Sequence, residues 1–213
     1  MKINRRQFVR NLGLGTASLS MGSLISTSSC APSGDSRDKR GKVSDDDQFL
    51  FIGDDIAIAQ TEYGKVQGYL LNHVYTFLGV PYGADTSGKN RFMPPQKPEP
   101  WTDVRPAVFY GNTAPQRMEN RWPNNYGTFA DHWNYWDVSE DCLYLNVWTP
   151  GIADGKRRPV LVWLHGGGFT NGSGIEQDGY HGENISREGD IVFCSINHRL
   201  GPIGFSDLSG VGG

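Results

Sequence analysis

Apolar residues along this chain fall into short runs, and the runs become continuous toward the C-terminus. Ile56 to Thr61, Val66 to Leu71 and Val74 to Leu78 are strand-length pieces separated by Glu62-Tyr63-Gly64-Lys65 and Asn72-His73. That spacing predicts an antiparallel meander, with ordered structure beginning near Ile56. Phe92 to Pro100 is interrupted by prolines and reads as irregular, followed by a return segment over Trp101 to Phe109. Leu143 to Trp148 is the first clear core strand. Val160 to His165 and Ile191 to Asn197 are continuous apolar runs, the pattern of strands covered on both faces. A glycine-rich loop and a short helix near Glu183 to Arg187 lie between them. The predicted class is α/β, a meander leading into a mostly parallel mixed sheet.

The first thirty residues follow a different plan. Asn4-Arg5-Arg6-Gln7-Phe8-Val9-Arg10 matches the twin-arginine pattern, and a weakly apolar Gly/Ser/Ala-rich stretch runs from Leu12 to Ile25. A basic then apolar segment is the plan of an export signal, so residues 1–30 are set apart from the fold. An amphipathic helix fits poorly, because the stretch has glycines and no polar face. Cys30 precedes Ala31-Pro32-Ser33-Gly34, as at a lipoprotein cleavage site, although Thr27 stands where such sites usually have Leu. Two outcomes stay open, lipidation at Cys30 or plain cleavage nearby. The expected destination is the bacterial periplasm, with any membrane attachment made through that lipid. Residues 31–50 form a polar linker unable to bury a core, and its Asp45-Asp46-Asp47 run reads as solvated charge, not a metal site. Residues 51–213 remain as the folded part.

Charge narrows the partners. The net charge of −3 includes four cations and no acid within Met1–Ser29, so the rest of the chain carries −7. An acidic body argues against nucleic acid, whose phosphates require clustered cations. No apolar run approaches the roughly 20 residues of a membrane span. Three cysteines, Cys30, Cys142 and Cys194, are too few for a disulfide framework.

The candidate chemistry lies at the end of an apolar run. Val160-Leu161-Val162-Trp163-Leu164 empties into His165-Gly166-Gly167-Gly168-Phe169. Glycines permit dihedrals closed to other residues, so such a loop can aim successive N–H groups at one point. That is how an oxyanion is held in acyl transfer. A turn that merely needs glycine is the plainer alternative.

A second signature lies just upstream, Ser139-Glu140-Asp141-Cys142-Leu143-Tyr144-Leu145-Asn146-Val147-Trp148. With Phe77-Leu78-Gly79-Val80-Pro81-Tyr82-Gly83, Arg91-Phe92-Met93-Pro94-Pro95 and Asn197-His198-Arg199-Leu200-Gly201, the chain from about Thr61 onward resembles the type-B carboxylesterases, lipases and cholinesterases. The resemblance implies the α/β-hydrolase fold, here its N-terminal portion only. That family's nucleophile sits in a G-x-S-x-G elbow, with the acid and His further on. No G-x-S-x-G occurs in these 213 residues, so the triad is expected downstream and the chain by itself inactive.

By the same resemblance, Gly167 and Gly168 supply oxyanion N–H groups, and Gly166 permits the turn. Arg91 and Glu140 form a buried architectural ion pair, and Arg199 is a structural cation. The aromatic stretch from Arg121 to Trp136 corresponds to one lip of the substrate gorge. Trp133 there reads either as gorge wall or as packing of a long loop. His165, His73, His132, His181 and His198 read as structural wall residues, with no metal-ligand spacing among them. Eukaryotic members close the aromatic loop with a disulfide to the Cys of the Glu-Asp-Cys-Leu motif. Here Ala114-Pro115-Gln116 stands in the partner's place, which leaves Cys142 without a local partner.

The expected function is hydrolysis of small-molecule carboxylic esters through an acyl-enzyme, with no cofactor. Three rivals are a hormone-sensitive-lipase-type hydrolase, a non-catalytic cholinesterase-like binding protein and an inactive truncated product. The first would lack the Glu-Asp-Cys-Leu-Tyr-Leu-Asn signature, and the triple glycine argues against the second.

Overall fold

Asn72 and His73 show how local sequence sets a tight hairpin. Both take positive φ, 49° and 65°, the backbone of a two-residue turn whose twist matches its flanking strands. The computed structural model describes residues 49–117, 137–207, 209 and 210. In chain order the strands are β1 (Leu50–Phe51), β2 (Ile58–Gln60), β3 (Lys65–Gln67), β4 (Tyr69–Leu71) and β5 (Val74–Pro81). They continue with β6 (Arg105–Pro106), β7 (Tyr144–Thr149), β8 (Val160–Leu164) and β9 (Val192–Ile196). Two short helices follow the glycine loop and β9, α1 (Glu183–Gly189) and α2 (Gly201–Phe205).

Among the described residues the strands divide between two sheets. One has six, ordered β1-β4-β5-β7-β9-β8, and the other has three, ordered β2-β3-β6. Val66 to Leu71, predicted as one strand, is therefore two strands in different sheets. Gly68 marks the break: its N–H donates to the Ala57 carbonyl at 2.8 Å, and a Cβ there would overlap the Thr76 carbonyl oxygen. Order also begins earlier than expected, because Leu50 and Phe51 pair antiparallel with Leu71 and Leu70.

The six-stranded sheet is mixed. Only β8 and β9 run parallel within it, and the other pairings are antiparallel. The glycine loop and α1 form the crossover a parallel pair requires.

Strand β5 organises the core by alternation. Phe77 and Val80 pack with Ala57, Val66 and Ala107, facing the smaller sheet. Val74 and Leu78 point the other way, onto Trp148 and Phe193. Trp148 is 1% exposed, with the Phe193 ring at 5.8 Å and the His181 ring edge-on at 5.1 Å. Its truncation to alanine would cost about 3–5 kcal/mol. A bulge between Phe77 and Val80 interrupts the β5–β7 ladder, and the freed Gly79 N–H donates to Asn146 Oδ1 at 3.0 Å. A buried polar side chain in mid-strand thus satisfies a donor the ladder leaves open.

One expectation fails at β8. Coverage on both faces holds for β9, whose Phe193, Cys194 and Ser195 are buried, but Val160–Leu164 is 37–64% exposed throughout. Among the described residues β8 is hydrogen-bonded to β9 alone. An apolar run reports that a strand suits burial; its neighbours decide whether burial happens.

Candidate active site

The loop from His165 to Gly172 leaves the end of β8 and packs against the segment that follows β9. It carries four positive φ values on glycine or its neighbour: Gly167 at 123°, Gly168 at 61°, Phe169 at 63° and Gly172 at 109°. Gly167 is irreplaceable on space alone, since a Cβ there would overlap the Asn171 carbonyl oxygen. Around Gly168 the space is open and only the backbone angle demands glycine.

The loop's carbonyls settle where its N–H groups point. With its proton on Nδ1, the His165 ring donates to the Gly166 oxygen at 2.8 Å. The Gly167 oxygen accepts from the backbone N–H of Thr170 and Asn171, each at 3.2 Å, and from Thr170 Oγ1 at 3.1 Å. In a trans peptide the N–H points opposite to the C=O, and no cis bond is present among the described residues. Both carbonyls are engaged within the loop, so the N–H groups of Gly167 and Gly168 are turned away from it. No acceptor among the described residues takes either one. Both glycines line a cavity of about 530 Å³, together with Leu143, Leu164, Phe169 and Leu200. Two N–H groups without an acceptor among the described residues thus belong to glycines that border this cavity.

The walls are built of packed side chains. His165 is 8% exposed and stacks on His198, with ring centroids 4.4 Å apart and planes within 4°. His198 Nδ1 lies 2.9 Å from the Arg199 carbonyl and its ring meets Phe205 edge-on. Tyr82 donates to the Asn197 carbonyl at 2.7 Å, and burial pushes its phenol up to about 12, so it remains neutral. His181 lies away at Trp148, where burial lowers its pKa. His73 occupies the turn between β4 and β5.

Arg91 and Glu140 meet in a two-pronged ion pair, Nη2 to Oε1 at 2.7 Å and Nε to Oε2 at 2.8 Å. The pair ties the turn before Phe92 to the segment entering β7. It is not buried as the resemblance implies: the Arg91 side chain is 49% exposed and Glu140 17%. The reason is its surroundings, since Phe92 and Met93 are also half-exposed. Arg199 Nη1 donates to the Met93 carbonyl at 2.9 Å, anchoring the same segment from the cavity side. Trp133, His132 and Cys30 lie outside the described residues.

Two organising residues escaped sequence reasoning. Asn197 accepts from the Gly174 N–H at 2.8 Å through Oδ1 and donates to the Asn112 carbonyl at 3.0 Å through Nδ2. Asn146 donates to Ser195 Oγ at 3.1 Å, besides receiving the Gly79 N–H. A polar residue inside or at the end of an apolar strand was the available signal.

The sequence model of the Carboxylesterase family matches residues 55–210. Phenmedipham hydrolase of Pseudarthrobacter oxydans is 44% identical over 155 residues, spanning 73% of this chain and 30% of that protein. Para-nitrobenzyl esterase of Bacillus subtilis (strain 168) is 39% identical over 155 residues, 71% of this chain and 29% of that one. Among solved structures, an esterase from Clostridium hathewayi that hydrolyses aliphatic aromatic polyesters superposes with a TM-score of 0.68 at 38% identity. It covers 78% of this chain and 31% of its own. The fold is that of the α/β-hydrolases, in its N-terminal portion, and the chain belongs to the carboxylesterase family. It spans about 30% of the length of these relatives.

Proposed function

We propose that this chain supplies the oxyanion-binding half of a carboxylic ester hydrolase. Gly167 and Gly168 hold the oxyanion in this reading, and a Ser–His–acid triad comes from a segment downstream. The observation that carries it is the pair of unengaged N–H groups directed away from two engaged carbonyls beside an apolar cavity. As the nucleophile attacks the ester carbonyl, its oxygen gains charge where these donors point, and a third N–H would follow the nucleophile. Arg91, Glu140 and Arg199 are architectural: they hold the Phe92–Pro95 segment beside the cavity without touching the reacting atoms. The membership of this chain in a family of ester hydrolases supports small-molecule esters as substrates.

Among the described residues, the two buried serines nearest the glycine loop are not placed to act as nucleophile. Ser195 is buried beneath Asn146, and the buried Ser173 hydroxyl accepts the Ile175 N–H at 3.3 Å. Residues 1–213 alone are therefore expected to give no turnover of a chromogenic acetate ester and no fluorophosphonate labelling. The protein expressed with its downstream coding sequence is expected to give both. Stoichiometric labelling of a serine within 1–213 would refute the assignment of the triad.

Export fits the same picture. Arg5 and Arg6 before a weakly apolar segment support folded export to the periplasm, with Cys30 as a candidate lipid attachment.

A further inference from the structure

Gln116 grips the far limb of the glycine loop with both arms of its amide. Its Oε1 accepts the Gly172 N–H at 2.8 Å, and its Nε2 donates to the Gly172 carbonyl at 3.0 Å. Nε2 also lies 3.1 Å from the Ala114 carbonyl, which folds the side chain back on its own segment. A glutamine amide matches a backbone peptide in its donor and acceptor, so the contact imitates a strand pairing.

The gripped residue touches the site. Gly172 has φ 109°, a Cβ there would overlap the Gly166 carbonyl oxygen, and His165 Nδ1 would lie 2.6 Å away. Gly172 therefore packs on the carbonyl whose peptide partner is the Gly167 N–H. Between them, residues 167 to 169 hold three successive positive φ values, Phe169 among them. Backbone of that kind persists only where its surroundings over-determine it. The near side is held by the Gly201 N–H, which donates to the Phe169 carbonyl at 2.7 Å. On the far side the corresponding hold is Gln116.

We propose that Gln116 is a positioning residue of the oxyanion loop. Its grip on Gly172 keeps the Gly166 and Gly167 carbonyls turned inward and the Gly167 and Gly168 N–H groups turned to the cavity. It does not touch substrate. The catalytic consequence rests on the ester-hydrolase reading; the loop geometry does not.

Two variants and two kinds of measurement test this. Gln116→Met keeps the length and removes both hydrogen bonds to Gly172 along with the one to Ala114, whereas Gln116→Glu keeps the acceptor and loses the donor. With glycine-selective 15N labelling of the 213-residue chain, Gly172 amide exchange should be about tenfold faster in the Met variant, the equivalent of one lost hydrogen bond. The Glu variant should fall between. The Gly167 and Gly168 amide resonances should also move, while those of Gly79 stay in place. An unchanged Gly172 exchange rate, or unmoved Gly167 and Gly168 resonances, would overturn the proposal. In the protein carrying its downstream segment, kcat on a phenyl acetate ester should fall about tenfold in the Met variant with KM within about twofold, since a misaimed donor is felt in the transition state. A normal kcat per titrated active site, with only the fraction of folded protein reduced, would mean a purely structural tether and overturn it as well. Absence of turnover in the unsubstituted protein would sink the ester-hydrolase reading instead, and the amide measurements would still decide the role of Gln116.

Discussion

Ala114 and Cys142 share one buried cluster with Leu143 and Leu200, at 2% and 0% exposure. The alanine stands where eukaryotic members of the resembling family carry the disulfide partner, and Cys142 and Cys194 are both free and buried. Burial, with Asp141 adding to it, pushes the Cys142 thiol up to about 12, and burial puts Cys194 at about 11.

Neither cysteine should therefore react as folded. The thiolate is the reactive form, and at pH 8 its fraction would be negligible at both sites. Iodoacetamide is expected to label Cys142 and Cys194 only after denaturation, as read by peptide mapping. A disulfide-linked Cys142–Cys194 peptide from the native protein would contradict the expectation.

Alanine substitutions along the glycine loop should separate space from strain. Gly168→Ala meets no atom and carries only the cost of a positive φ, about 1–2 kcal/mol. Gly167→Ala adds an overlap with the Asn171 carbonyl, so the loop must move and the donor with it. In the protein joined to its catalytic segment, Gly167→Ala is expected to lose ~10²-fold or more in kcat, and Gly168→Ala less, with thermal unfolding showing both folded. Equal activity in the two variants would remove Gly167 from the site.

Acid stability should depend on Arg158. Its guanidinium lies 2.7 Å from Asp154 Oδ2 and 2.8 Å from Asp190 Oδ1, joining the turn before β8 to the end of α1. Hydrogen bonds from Arg158 hold Asp154 down to about 2 and lower Asp190 as well. A carboxylate lowered in the fold stabilises fully above its unfolded value near 4 and loses that contribution as pH falls toward its folded value. Urea midpoints measured from pH 5 to pH 2 should fall less steeply for Arg158→Met than for the unsubstituted chain. Parallel curves would show that the network contributes nothing.

Replacing Arg5 and Arg6 together with Lys should leave unprocessed precursor in the cytoplasm. A fractionation blot reads this directly, and normal periplasmic recovery of the double variant would refute the twin-arginine route.

What was legible in the sequence was local. Asn72-His73 announced a tight turn, Glu183 to Arg187 a helix, Leu143 to Trp148 a core strand, and His165 to Phe169 a loop of unusual dihedrals, because each depends on neighbours in the chain. Arg91 and Glu140 were paired through resemblance, yet their exposure depends on what covers them. Tertiary structure alone decided three further matters. Gly68 sends one apolar run into two sheets because the Thr76 carbonyl approaches where a Cβ would stand. Val160–Leu164 is exposed because β9 is its only strand partner among the described residues, which its composition cannot report. Gln116, Asn146 and Asn197 became organising residues because hydrogen bonds across 56, 67 and 85 positions bring their amides to backbone groups that local structure leaves open. Sequence pattern encodes the periodicity of burial, but the partner of a polar side chain is chosen only when the chain closes on itself.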